Sequence, residues 1–103
     1  SNGCPKVYIP NLGHDPEQVG MDLDDTVRAL VHRLRADVPP ETRPDQLLNF
    51  IMMDGRSGDY PGRLSPALVK ELGLQVIDTR LITKQSTPRY DSELMVSALL
   101  SLT

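Results

Sequence analysis

The chain has no tryptophan, a single phenylalanine and three tyrosines. A core rich in aromatic rings is thereby excluded, and leucine, valine, isoleucine and methionine must supply nearly all of the burial. One cysteine, Cys4, rules out an internal disulfide; this usage fits a reducing compartment, and the expectation drawn from it is a cytoplasmic protein. No apolar run approaches the roughly 20 residues that cross a bilayer, and no charged-then-apolar leader opens the chain, so no membrane partner is expected. A strong excess of either charge is lacking as well. A formal net charge of -3 is far from the basic balance of a general nucleic-acid binder, and no nucleic-acid partner is expected.

What is present is ordinary for a folded domain. With 39% hydrophobic and 24% charged residues the composition is globular, and 103 residues make one modest core rather than two. Ser1-Asn2-Gly3 resembles the scar left by removal of an expression tag, so a single domain is expected over residues 4–103 of an engineered fragment.

Lys6-Val7-Tyr8-Ile9, bounded by Pro5 and Pro10, has the β-branched and aromatic bias of a short strand. Leu23, Val27, Leu30, Val31 and Leu34 recur at three- and four-residue steps and fall on one stripe of a helix, with Asp22 as its N-cap and Pro39-Pro40 past its end. After a polar connection from Glu41 to Gln46, the nearly continuous run Leu47-Leu48-Asn49-Phe50-Ile51-Met52-Met53 predicts a central strand covered on both faces. Ser65-Pro66 opens a short second helix, Gly73 closes it, and Leu74-Gln75-Val76-Ile77 gives a third strand, with Leu81-Ile82 either extending it or beginning another. Asp91 caps a last helix carrying Leu94, Met95, Ala98 and Leu99. This alternation predicts an α/β fold, a small three-layer Rossmann-like fragment with a mainly parallel sheet of about three strands and three helices, joined by right-handed crossovers.

In such sheets ligands bind beyond the carboxyl ends of the strands, where every strand-to-helix loop emerges. The loops Asn11–Met21 and Asp54–Leu64 have about eleven residues each, against a usual two to six, and such excess is more often functional or flexible than purely connective. Arg56, Arg63, Arg80, Lys84 and Arg89 lie on these loops or the one after the third strand, and a guanidinium can grip phosphate or carboxylate at two points. Exposed arginines are also the norm on any surface. Asn11 directly follows the first strand, where it can orient a ligand or stabilise a turn. The candidate ligand-binding residues are therefore Asn11, Arg56, Arg63, Arg80 and Arg89.

No catalytic set emerges. A P-loop and the Gly-x-Gly-x-x-Gly fingerprint are both lacking, and Asp54-Gly55-Arg56-Ser57-Gly58 is a glycine-bearing loop. Cys4, His14 and His32 are too dispersed for a Cys-His nucleophile pair. Asp22, Asp24 and Asp25 read as residues that cap and solvate a helix start; with His14 and Asp15 they match neither a zinc nor an EF-hand spacing, and no metal is expected.

Lys6-Val7-Tyr8-Ile9-Pro10-Asn11, an acidic loop, Asp24-Asp25-Thr26-Val27 with its helix, Leu72-Gly73-Leu74-Gln75-Val76-Ile77 and Arg89-Tyr90-Asp91 follow in an order and spacing that resembles the C-terminal third of the 2-phospho-L-lactate transferase-like superfamily, closest to its bacterial gluconeogenesis-factor branch. Pro10-Asn11-Leu12 stands where that branch has valine and asparagine, Pro16-Glu17-Gln18 where it has a Gly-Glu-Thr loop, and Arg89-Tyr90-Asp91 where it has Arg-His-Asp. The resemblance implies a C-terminal portion of a larger parent that binds a nucleotide or nucleotide sugar, with a divalent cation accompanying the nucleotide and no cofactor in the fragment itself. It implies a non-catalytic domain of a regulatory protein; the alternatives are a fragment of a transferase joining 2-phospholactate to a guanosine donor, or a self-association module that dimerises through an exposed sheet edge. Asn11 and Arg89 are the positions it carries across as ligand or cleft-lining residues.

Overall fold

The structure, a computed structural model, describes residues 6–13 and 20–102. The tag-scar reading of residues 1–3 and the readings of Cys4, His14, Asp15 and residues 16–18 fall outside them.

Three parallel strands, β1 (Val7–Tyr8), β2 (Phe50–Met53) and β3 (Gln75–Asp78), form one sheet in the order β1-β2-β3. Tyr8 pairs with Ile51 and Ile51 with Val76, so β2 is the central strand. Helix α1 (Leu23–Ala36) connects β1 to β2, and α3 (Pro66–Leu72) connects β2 to β3. Two right-handed crossovers stepping the same way across a sheet put both helices on one face. The packing agrees: Val27 and Val31 of α1, Leu68 and Leu72 of α3 and Ile51 of β2 belong to a single aliphatic cluster, with Leu30 and Leu34 packed against it. Neighbouring residues on a strand point to opposite faces. Ile51 and Met52 both have no exposed surface, so both faces of the central strand are covered. The domain is α/β, with a Rossmann-like parallel sheet.

The local signals that start and stop the helices are those the sequence carries. The Asp22 carboxylate accepts the Asp25 N–H at 2.9 Å and the Asp25 carboxylate accepts the Asp22 N–H at 3.2 Å, a reciprocal capping box at the start of α1. Ser65 accepts from Leu68 N at the start of α3, and Gly73 ends that helix at φ 67°, a left-handed turn that a residue with a Cβ rarely adopts. Asp91 accepts from Glu93 N and Leu94 N to begin α4 (Ser92–Leu100).

Several boundaries differ from expectation. The stretch read as a polar connection contains one helical turn, α2 (Pro44–Leu47), and Gln46 closes it by accepting the Arg43 N–H with its side chain. The central strand consequently starts at Phe50 rather than Leu47; Leu47 and Leu48 join the core from outside the sheet. Pairing limits β1 to two residues and shifts β3 one residue onward, to Asp78. Leu81 and Ile82 neither extend β3 nor begin a strand, because their N–H groups are taken by a side chain, Asp54, instead of a ladder. In α4, Leu94, Met95, Ala98 and Leu99 are half-buried and none is fully enclosed. Among the described residues, no helix is long and apolar enough to cross a membrane.

Candidate functional site

Because the strands are parallel, the chain leaves all three at the same edge: at Ile9 after β1, at Asp54 after β2 and at Thr79 after β3. Asp54 organises that edge. It is 3 % exposed, and each of its carboxylate oxygens accepts two backbone N–H groups. Oδ1 takes those of Arg56 at 3.1 Å and Ser57 at 3.0 Å, turning its own loop, while Oδ2 takes those of Leu81 at 3.0 Å and Ile82 at 3.1 Å, from the loop beyond β3. Burial alone raises this carboxyl's pKa, but the four donors outweigh it and hold the group below the ordinary aspartate value, so it is an anion stabilised by backbone dipoles.

A second set of bonds runs from β2 to β1. The Asp54 N–H donates to the Tyr60 hydroxyl at 2.9 Å, Tyr60 and Tyr90 hydroxyls meet at 2.9 Å, and Tyr90 donates to the Pro10 carbonyl at 2.6 Å. A phenol has one proton. That of Tyr90 goes to Pro10, so Tyr60 is the donor between the two tyrosines, and the row runs in one direction from the end of β2 to the end of β1. Burial pushes both hydroxyls above the ordinary tyrosine pKa; at Tyr60 it prevails over the bonds from Tyr90 and Asp54. The Gly13 N–H donates to the Asp59 carbonyl at 2.7 Å and ties the first loop to the second.

Two clefts flank this polar knot. One, of about 510 Å³, is lined by Asn11, Leu12, Gly13, Asp59, Pro88, Arg89 and Tyr90. The other, of about 430 Å³, lies between the ends of β2 and β3 and is lined by Asp54, Arg56, Ser57, Asp78, Thr79 and Arg80. The five candidates thus separate: Asn11 and Arg89 share the first cleft, Arg56 and Arg80 share the second, and Arg63 lines neither, standing exposed in the turn before α3. Lys84 is likewise exposed and outside both.

The acidic start of α1 has structural employment. Besides the capping box, Asp24 accepts the Ser65 N–H at 2.8 Å and joins α1 to the start of α3. Among the described residues, no group of three or more His, Cys, Asp or Glu side chains is placed to hold a metal ion. His32 is exposed on α1.

Sequence reasoning missed Asp54, Tyr60 and Tyr90 as the residues that shape the edge. For Asp54 a signal existed: an aspartate at a strand end followed by glycine favours a side-chain-to-backbone turn, which is what Oδ1 makes. For the tyrosines there was none, since the bonds that join Tyr60 to Tyr90 and Tyr90 to Pro10 span 30 and 80 residues. Compared with known proteins, the chain matches no family model, no curated protein and no solved structure.

Proposed function

We propose that this domain is a non-catalytic part of a nucleotide- or nucleotide-sugar-binding regulatory protein, and that it contributes the cleft between the end of β1 and the last loop. One observation carries the reading: Asn11 and Arg89, from near opposite ends of the chain, line the same cleft at the carboxyl edge of a parallel sheet. Its volume of about 510 Å³ falls within the usual range of small-molecule sites. The residues suit the ligand class. Arg89 offers a two-point grip on phosphate, the Asn11 amide and Asp59 carboxylate can pair with sugar hydroxyls or a base edge, and Leu12, Pro88 and the Tyr90 ring supply an apolar wall. A divalent cation would enter with the nucleotide phosphates, and the cytoplasm, where such ligands are abundant, is the setting that goes with this role.

Calorimetric titration of the intact protein with a UDP-sugar, well above micromolar concentration, is the test. Binding heat that Arg89→Gln reduces about tenfold or more in affinity is the expected outcome; absence of heat and of thermal protection would sink the reading. A diphosphate-linked product formed from phospholactate and an activated guanosine donor would replace it with the transferase reading.

A second reading, self-association through a sheet edge, is favoured by β3, whose Gln75, Val76 and Asp78 are exposed, Val76 to 41 %. A clean monomer by light scattering at millimolar concentration would remove it.

A further inference from the structure

The second cleft differs in chemistry from the first, and its arginines are held in a different way. Arg56 follows β2 and Arg80 follows β3, and because adjacent strands lie only about 4.8 Å apart, the two side chains line one recess of about 430 Å³. The same buried carboxylate pins the backbone on both sides. Asp54 binds the N–H groups of Arg56 and Ser57 on one wall and of Leu81 and Ile82 on the other, the Thr79 N–H donates to the Met53 carbonyl at 3.0 Å, and the Gly55 N–H donates to Asp78 Oδ1 at 2.8 Å. A site whose backbone is already fixed loses less entropy on binding.

The donors in the lining point to the ligand class. Two guanidinium groups and two carboxylates line the recess, but the carboxylates are not equivalent. Asp54 is enclosed and its charge is spread over four N–H dipoles, whereas Asp78 is exposed. Among the described residues neither arginine forms an ion pair with Asp54 or Asp78. An approaching anion therefore meets the two guanidinium groups and the Ser57 and Thr79 hydroxyls as donors, set against the negative charges of Asp54 and Asp78.

We propose that this recess is a separate site for a small phosphate dianion, free or as a phosphomonoester, gripped by Arg56 and Arg80 and opposed by Asp78. It stands or falls independently of the cleft of Asn11 and Arg89. The test is an NMR titration of the full chain with inorganic phosphate and, in a parallel arm, glycerol 1-phosphate, at ionic strength held constant with chloride. Saturable amide shifts centred on Arg56, Ser57, Thr79 and Arg80 are expected, with the tighter of the two probes identifying the form of phosphate bound. Arg56→Gln and Arg80→Gln should each weaken binding about tenfold or more. Asp78→Asn, which keeps an oxygen for the Gly55 N–H but removes the opposing charge, should tighten it about two- to fivefold. Lys84→Gln serves as the charge control. The proposal is overturned by shifts no larger than chloride alone produces, by shifts centred on Arg89 and Tyr90, by a loss in Lys84→Gln equal to that in the arginine variants, or by Asp78→Asn binding no more tightly than the parent.

Discussion

Three residues apart on the same segment, Ile51 and Asp54 are both buried, yet they hold the molecule together by opposite means. Ile51 belongs to the cluster of Val27, Val31, Leu68 and Leu72, whose buried members are all aliphatic and among which attraction has no preferred direction. Asp54 sits among backbone N–H groups, each of which must arrive at a particular lone pair. An aliphatic cluster exchanges one side chain for another of similar volume at small cost, whereas a buried carboxylate with four donors has no isostere. The apolar face therefore supplies stability, and the polar knot specifies which loops meet at the edge and so where the two clefts lie.

Ile51→Ala tests the apolar side and should have the largest effect, a loss of about 4 kcal/mol in urea unfolding, because the residue is fully enclosed. The loss should be the same at pH 4 and pH 7, since no titratable group is involved; a strong pH dependence would break the division between the two regions.

Asp54→Asn comes next. Its amide nitrogen replaces an oxygen that accepts two N–H groups, leaving two buried donors unpaired, and a loss of about 3 kcal/mol is expected. Here pH matters. The folded-state pKa lies below the unfolded one, so the ionised group stabilises the fold above the ordinary aspartate value and that contribution disappears as pH falls through the lowered folded value. Acid titration of stability should show this component in the parent and lack it in Asp54→Asn. An unchanged acid limb in the variant would transfer the effect to another carboxylate.

Tyr90→Phe removes the donor to Pro10 and the acceptor for Tyr60 in a half-buried setting, and about 1 kcal/mol should be lost. Amide exchange near Pro10 and Tyr60 should quicken more than exchange in α1, which would sharpen the distinction between knot and core. The smallest effect is expected at the surface. Arg28 and Glu71 form an ion pair at 3.1 Å across α1 and α3, but both side chains are more than half exposed, and a double-mutant cycle should return below about 0.5 kcal/mol, falling further with salt.

Much of the apolar side was legible from the residues alone. The four-residue spacing of Leu23, Val27 and Val31 marks the face of α1 that is buried, and the continuous run ending Phe50-Ile51-Met52-Met53 marks a strand enclosed on both sides. The misreading within that run, Leu47 to Asn49, arose because apolar residues at a strand's entrance look the same whether they follow a helical turn or open the strand. At the edge the sequence told less. Arg56, Arg63, Arg80 and Arg89 look alike as exposed loop arginines, and only the closing of the loops sorts them into two clefts and leaves one outside both.

By itself, then, the sequence determined the kinds of elements, the faces they bury and the caps at Asp22, Ser65, Gly73 and Asp91, because each of these depends on residues within a few positions of one another. The tertiary structure alone decided that Asp54 reaches Leu81 and Ile82, that Tyr60 donates a hydrogen bond to Tyr90 and Tyr90 one to Pro10, and that Asn11 lines the same cleft as Arg89. Periodicity is a property of a single segment. A hydrogen bond between distant loops depends on strand order and on how each loop closes, and neither is written in the residues it joins.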